Sequence, residues 1–287
     1  ITVKKGDSLV IDGTLVNNGT ITYEDGGTVT LNGNEGGTGT LTGTGSGLTK
    51  KALPALTAPV VIAHTKTSVA LKEVTDGAPQ YGYTEGSGAA PTEINNWQDS
   101  PVFTGLTENT DYTFYIKYTV SGDYYAYSGT DKKDAPSDGT EVTTDGASFD
   151  AGYGSVTVKA SPADADKIYV VYGNILTTEA FANTENITLT GGSGSAPVTA
   201  NTVTVENGAT ANITTDGLYI DASATEDVYA FMIQSGAAVN LTLKNENSFM
   251  SGIWAAGIGV PEGAALTVTK ESDGSVTATG LHGAGIG

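Results

Sequence analysis

The sequence contains no cysteine and no arginine, and only two of its 287 residues are histidine. Without cysteine, the chain can form neither a disulfide framework nor a thiolate metal site. All 13 basic residues are lysines, against 32 acidic residues, and the formal net charge is −19. Nucleic acids and anionic membrane surfaces both attract basic proteins. The composition therefore predicts no nucleic-acid partner and no membrane insertion.

Long apolar runs and export signals are also missing from residues 1–287. Hydrophobic residues make up 38% of the chain, which is low for one large core but suits stacked coils that each bury a few side chains. Ile1 and Gly287 both lie inside strand-like patterns. We therefore expect a piece of a longer protein, with its export signal and wall anchor elsewhere, and a location outside the cell or on its surface.

Short alternating segments fill residues 1–50, which are predicted to form N-terminal β-solenoid coils. Thr alternates with apolar residues in runs such as Thr20–Thr22 and Thr28–Leu31, and Gly-containing pairs separate the runs. Alternation of period two between such turns is typical of strands. Residues 34–58, which are rich in Gly and Thr before Pro54 and Pro59, are interpreted as a linker.

Longer strands and aromatic residues mark residues 58–144. The segment Leu106–Tyr112, Leu-Thr-Glu-Asn-Thr-Asp-Tyr, resembles the tyrosine corner of fibronectin type III domains, with Glu108 in place of the usual proline. The resemblance implies a β-sandwich in which Leu106 fills the core and the Tyr112 hydroxyl bonds to nearby backbone.

A repeat can be measured in residues 146–287. The segment Val205–Thr210 is echoed by Ile233–Ala238 and Val260–Ala265, which places corner glycines at Gly208, Gly236 and Gly263. Their interval of about 28 residues suits one coil of a parallel β-helix. Each corner glycine is expected to have a positive φ. The residues predicted to face inward are Val205, Ile213, Ile220, Ile233, Leu241, Leu243, Ile258, Leu266 and Val268.

The final segment, Leu266 to Gly287, ends in Gly-Ala-Gly-Ile-Gly. It resembles repeats in large cell-surface proteins of gut Firmicutes, a β-helical group sometimes labelled carbohydrate-binding. The overall prediction is an all-β protein, expected to be a monomer, with right-handed parallel β-helix or solenoid segments and a fibronectin III-like sandwich. β-Helices host many roles, so this resemblance implies architecture more strongly than function.

The sequence disfavours an enzyme, although β-helices include polysaccharide lyases and hydrolases. Pectate-lyase-like enzymes commonly use Arg as the proton abstractor, and this chain has none. His64 and His282 fall in different predicted domains, and both are interpreted as ordinary surface residues. Most carboxylates lie in turn contexts, where such side chains bond to local backbone.

No cofactor is predicted, with calcium as the alternative. Hard oxygen ligands in loops suit Ca²⁺. Four acidic residues at the edges of one predicted coil are the candidates, and the competing interpretation is a set of solvated turns: Asp216, Asp221, Glu226 and Asp227.

Aromatic rings are the remaining candidates for a site, because a flat ring stacks on the apolar face of a sugar. The candidates are Trp97, Tyr124, Tyr125, Tyr127 and Trp254. The competing interpretation is that these rings pack within their own domains. The function predicted is non-catalytic adhesion or carbohydrate binding at a bacterial surface, with a polysaccharide or host ligand. The alternatives are a structural stalk and a polysaccharide lyase or hydrolase.

Overall fold

A computed structural model describes residues 1–33, 35–36, 39–44, 47–87, 94, 96–120, 125–128, 131 and 133–287. All regular secondary structure in these ranges is β-strand, so the predicted all-β class is confirmed. The same ranges contain no helix able to cross a membrane. The chain divides into two compact units. Unit 1 comprises Ile1–Pro59, Glu73–Pro101 and Tyr112–Glu141, and unit 2 comprises Val60–Lys72, Val102–Asp111 and Val142–Gly287.

Parallel pairing at a fixed offset organises the N-terminal part of unit 1. The strands are β1 (Thr2–Val3), β2 (Ser8–Ile11), β3 (Leu15–Val16), β4 (Thr20–Tyr23), β5 (Thr28–Leu31), β6 (Glu35–Gly36), β7 (Thr40–Gly43), β8 (Leu48–Thr49) and β9 (Lys51–Ala52). They form three sheets with the orders β1-β4-β7, β2-β5-β8 and β3-β6. Thr2 pairs with Thr22 and Thr20 pairs with Thr40, so the offset between partners is the same in these two successive strand pairs.

Close backbone approach explains several glycines in these turns. A Cβ at Gly33 would lie 1.7 Å from the Gly13 carbonyl oxygen, and one at Gly47 would lie 1.9 Å from that of Gly27. The interpretation of residues 34–58 as a linker is wrong for β7 and β8, because both strands extend these parallel sheets. The Thr- and Gly-rich composition that suggested a linker is also that of the paired strands before it.

Antiparallel pairing dominates the middle of the chain. The strands are β10 (Val61–His64), β11 (Ser68–Leu71), β12 (Pro79–Glu85), β13 (Val102–Thr104), β14 (Asp111–Tyr118), β15 (Tyr125–Ala126) and β16 (Thr140–Thr143). The sheet order β13-β11-β10 continues to the later strand at Ala147–Asp150, and a separate sheet has the order β12-β14-β16. Leu106 is buried, as predicted. Tyr112 is buried too, and its ring packs edge-on against Tyr83 at 5.3 Å.

Parallel ladders return in the remainder of unit 2. The strands are β17 (Ala147–Asp150), β18 (Val156–Ala160), β19 (Lys167–Tyr172), β20 (Leu176–Thr177), β21 (Phe181–Ala182), β22 (Asn186–Gly191), β23 (Val203–Val205), β24 (Thr210–Asp221), β25 (Phe231–Ile233), β26 (Ala238–Lys244), β27 (Glu246–Met250), β28 (Ile258–Gly259), β29 (Ala265–Val268) and β30 (Ser275–Thr279). One ladder runs β17-β22-β24-β26-β29, a second runs β18-β23-β25-β28, and β27 lies between β24 and β30 in a third.

The register of these ladders confirms the predicted repeat. Val205 pairs with Ile233 and Ala238 pairs with Ala265, so paired residues occupy equivalent positions in successive repeats. The three corner glycines have φ values of 78°, 81° and 83°, as expected for turns in the left-handed region. Seven of the nine residues predicted to face inward are buried.

The two exceptions lie on β29. Leu266 only packs against the edge of the core, and Val268 is 53% exposed. The prediction for Val268 is wrong because β29 pairs on one side only in the described part of the chain, with β26. The sequence repeat predicts which residues occupy equivalent positions on paired strands. Burial of those residues also requires a neighbouring strand that covers them.

Polar ladders line the outer side of the parallel sheets. The Asn240 side chain donates to Asn212 at 2.9 Å, and the hydroxyls of Thr242 and Thr269 are 2.8 Å apart. Identical side chains stacked at the strand spacing satisfy one another's hydrogen bonds. This explains the abundance of Asn and Thr without assigning them a ligand.

Candidate functional site

Three successive repeats of unit 2 place one residue each at the same position. Phe231 pairs with Ile258, and Ile258 in turn bridges to Ile286. Four residues before these three partners lie, in order, Asp227, Trp254 and His282. We call these three residues the edge row.

The loops that carry the edge row are tied to one another through the backbone. The amide of Asp227 donates to the Ile253 carbonyl at 2.9 Å, and that of Gly252 donates to the Val228 carbonyl at 2.8 Å. The buried Ser251 hydroxyl donates to the Ala255 carbonyl at 2.6 Å. These bonds fix the loop on both sides of Trp254.

The backbone of Trp254 is in the left-handed region, with φ at 70°, and Asp227 has φ at 53°. This conformation costs a residue with a Cβ about 1–2 kcal/mol, and it is unusual for a bulky side chain. Such strain persists only where the surrounding structure imposes it, and it clusters at functional positions. The conformation of Trp254 therefore identifies this loop as a candidate site.

The Trp254 ring lies open to solvent. Its side chain is 70% exposed, although indole is among the largest apolar groups available to a protein. The imidazole of His282 lies against it, with 5.1 Å between ring centroids and an angle of 31° between the ring planes. Trp254 was predicted from the sequence as a candidate, and the structure adds His282 beside it.

His282 was missed because its sequence context, between turn glycines, resembles any exposed loop. The usable signal is its register: it precedes Ile286 by the same four residues by which Trp254 precedes Ile258. Aligning the repeats on their paired strands would have placed the two rings together.

Trp97 is half-buried, and its ring packs against its own sheet. Lys117 Nζ lies 4.5 Å from its ring centroid. On β12, a Cβ added to Gly82 would lie 2.9 Å from the indole, so the ring packs closely over that glycine. The packing interpretation of Trp97 is the one this arrangement favours.

The two described members of the tyrosine cluster, Tyr125 and Tyr127, do not form an exposed platform. Tyr125 is buried in the core of unit 1, and Tyr127 is half-buried, with its hydroxyl donating to the Val120 carbonyl at 2.6 Å. The prediction of a sugar-binding face at Tyr125 is wrong, because strand alternation does not reveal which side faces the core. Tyr124 lies outside the described residues.

The four candidates for calcium are dispersed. The Asp216 carboxylate accepts a hydrogen bond from the side-chain amide of Asn245 at 2.6 Å. The Asp221 carboxylate accepts one from the backbone amide of Ser223 at 2.9 Å. Glu226 and Asp227 are exposed neighbours. Within the described ranges, no three His, Cys, Asp or Glu side chains are grouped as metal ligands would be. Calcium binding remains a prediction from the sequence.

A cleft of about 280 Å³ is present elsewhere in unit 2. It is lined in part by Lys66 and Glu185, which form an ion pair at 2.9 Å. His64 borders an adjoining open depression and faces Ser148 across the β10–β17 pair. The buried Nδ1 of His64 has no hydrogen-bond partner in the described part of the chain.

His64 differs from the surface residue predicted from the sequence. Burial lowers its pKa from 6.5, and this effect outweighs the opposing influence of Asp145 and of a hydrogen bond to the Gly146 backbone. The unfolded chain therefore binds the proton more tightly than the folded protein, and stability falls as pH drops below about 6.5.

We expect the melting temperature of the wild-type protein to fall more between pH 7.5 and pH 5.5 than that of His64→Gln. The variant lacks the titrating group while retaining a polar side chain, so its pH dependence reports only the remaining residues. Melting curves of both proteins at the two pH values measure the difference. Equal decreases in the two proteins would contradict a His64 pKa lowered by folding.

Comparisons with known proteins identify no family for the chain. No protein-family model matches it, and no curated protein is significantly similar to it. The resemblance of the Gly283–Gly287 ending to bacterial surface repeats therefore remains a prediction.

Proposed function

We propose that the protein is a non-catalytic, cell-surface module that binds carbohydrate through the edge row. The observation that carries this proposal is the 70% exposed Trp254 ring, held at a positive φ against His282. An exposed, fixed indole provides a flat apolar surface at low entropic cost, which suits stacking on a sugar ring. Polar groups beside the ring then provide hydrogen bonds to hydroxyls.

The proposed architecture is a right-handed parallel β-helix in residues 146–287, preceded by a fibronectin III-like sandwich and N-terminal solenoid coils. Parallel registers that match the spacing of the corner glycines support the β-helix, and the constant offset of the N-terminal strands supports the coils. The sandwich proposal rests on the antiparallel pairing of β12, β14 and β16, with Tyr112 buried, and separately on the antiparallel pairing of β10, β11 and β13, followed by the buried Leu106. In this architecture the edge row lies on one corner of the β-helix.

A structural stalk is the second candidate, and the polar ladders favour it. Asn and Thr side chains that bond to one another across strands have their hydrogen bonds satisfied without a ligand. A purely structural stalk gives Trp254 no role, however, and does not explain why an exposed indole is held on a strained backbone.

A glycan array probed with the purified protein tests the proposal. We expect hits that weaken at least tenfold in Trp254→Ala and remain unchanged in Trp97→Ala, a matched control at the half-buried tryptophan. No hits would favour the stalk. Release of reducing ends or unsaturated products from a polysaccharide would instead identify an enzyme.

Trp254→Gly separates binding from stability. Glycine adopts a φ of 70° without a Cβ penalty, so this variant should be as stable as the wild type or more stable by about 1 kcal/mol. We expect it to lose binding nevertheless. Urea denaturation measures the first effect and the array the second. A variant that is clearly less stable would show that Trp254 serves the fold.

A further inference from the structure

The edge row combines an aromatic ring with a carboxylate, and this combination selects among sugars. We infer that the row binds neutral sugars, with a sugar ring on Trp254 and its hydroxyls on the Asp227 carboxylate, and that it discriminates against uronic acids. This inference rests on the proposed function and names its ligand class.

The arrangement of the row determines where a sugar can lie. His282, from the following repeat, covers one face of the indole at a centroid distance of 5.1 Å. A sugar therefore has to stack on the opposite face, on the side of the preceding repeat, where Asp227 lies. The hydrogen bond of 2.9 Å from the Asp227 amide to the Ile253 carbonyl makes these two loops immediate neighbours. The backbones of the two loops are therefore about one strand spacing, ~4.8 Å, apart.

The chemistry of Asp227 suits hydroxyl groups. A carboxylate only accepts hydrogen bonds when ionised, and its two oxygens can accept from two neighbouring hydroxyls. Its backbone lies in the left-handed region, with φ at 53°, and the bond from its amide to the Ile253 carbonyl ties the loop to the next repeat. Preorganisation of this kind improves affinity because little ordering remains to be done on binding.

The surrounding charge opposes acidic sugars. Glu226 lies next to Asp227 and is also exposed, and the protein carries a net charge of −19. The lysines nearest in sequence to Trp254 and His282 are themselves near acids: Lys244 lies 3.9 Å from Asp273, and Lys270 lies 3.8 Å from Glu271. A uronate carboxylate placed beside Asp227 would meet a like charge at short range, where screening by salt is weakest.

The experiment compares neutral and uronate-containing oligosaccharides of equal length, with cellohexaose and hexagalacturonate as the titration pair and a broader array alongside. We expect the wild-type protein to bind neutral oligosaccharides at least tenfold more tightly than uronates. Asp227→Asn should weaken neutral binding several-fold, strengthen uronate binding, and reduce the preference to about threefold or less. Asparagine tolerates a positive φ, so the loop is retained in this variant.

Asp273→Asn is the matched control, since Asp273 is 71% exposed, carries the same charge and lies outside the row. It should leave the preference unchanged, because charges beyond the row contribute only a screened background. Array hits confined to uronates, equal affinity for the two classes, or a preference unaffected by Asp227→Asn would overturn the inference while leaving glycan binding intact. An array without any hit would contradict the proposed function itself.

Discussion

Gly252→Ala is expected to destabilise unit 2 by about 4 kcal/mol or more. A Cβ at this position would lie 1.6 Å from the carbonyl oxygen of Thr225. That atom belongs to the backbone of the preceding repeat, so no side-chain rotation can relieve the clash. Overpacking usually costs about 1–3 kcal/mol, and the larger figure here reflects a collision between two tied loops. Thermal and urea denaturation measure the change.

Gly146→Ala is the matched control for this experiment. Nothing lies within 4 Å of a Cβ built on Gly146, and its backbone is not in the left-handed region. Its effect should stay within about 0.5 kcal/mol. If Gly252→Ala were equally mild, the loop around Trp254 would be adaptable, and the strain assigned to Trp254 would have no support.

Phe249→Ala should cost about 3–5 kcal/mol, the range for truncating a fully buried phenylalanine. The ring of Phe249 is completely buried and packs edge-on against Phe231, with 5.7 Å between centroids. Truncation removes this aromatic contact and leaves a cavity between two repeats. The free energy of unfolding, from urea denaturation, is the measurement.

Val268→Ala provides the contrast, because Val268 is 53% exposed and its truncation opens no cavity. We expect a change of less than about 0.5 kcal/mol. Similar losses in the two variants would mean that the ladder ending at β29 is covered in solution, contrary to the exposure of Val268 in the structure.

The sequence predicts the C-terminal repeats well because the residues that mark their turns are required by the backbone conformation. Gly208, Gly236 and Gly263 occupy a conformation that few other residues tolerate, so their spacing marks the coil length. The shorter N-terminal period was missed, although Ser8–Ile11 and Thr28–Leu31 pair residue for residue. The N-terminal strands are very short, and Thr occupies so many of their positions that the segments cannot be told apart and the period is hidden.

The candidate site was only partly predictable. Trp254 stands out as one of two tryptophans, but the sequence gives Trp97 the same weight. The difference between them is tertiary: Lys117 covers one ring, while the other is exposed beside His282. Tyr125 was predicted as a sugar-binding residue but is buried, since a tyrosine in a polar segment can still belong to the core. Asp227 was predicted as a calcium ligand, and its place in the edge row emerges only from the register.

The offset of 27 or 28 residues between paired strands in the C-terminal repeats has a consequence for how this protein can change in length. A duplication or deletion of one whole repeat restores every strand to its partner, whereas a shift of one residue within a strand moves its inward side chains to the wrong face. Each added repeat lengthens the ladder by one strand spacing, about 4.8 Å. It also adds one residue to the edge row. Recombination between neighbouring repeats would therefore alter the span of the β-ladder and the length of ligand it can contact in the same step.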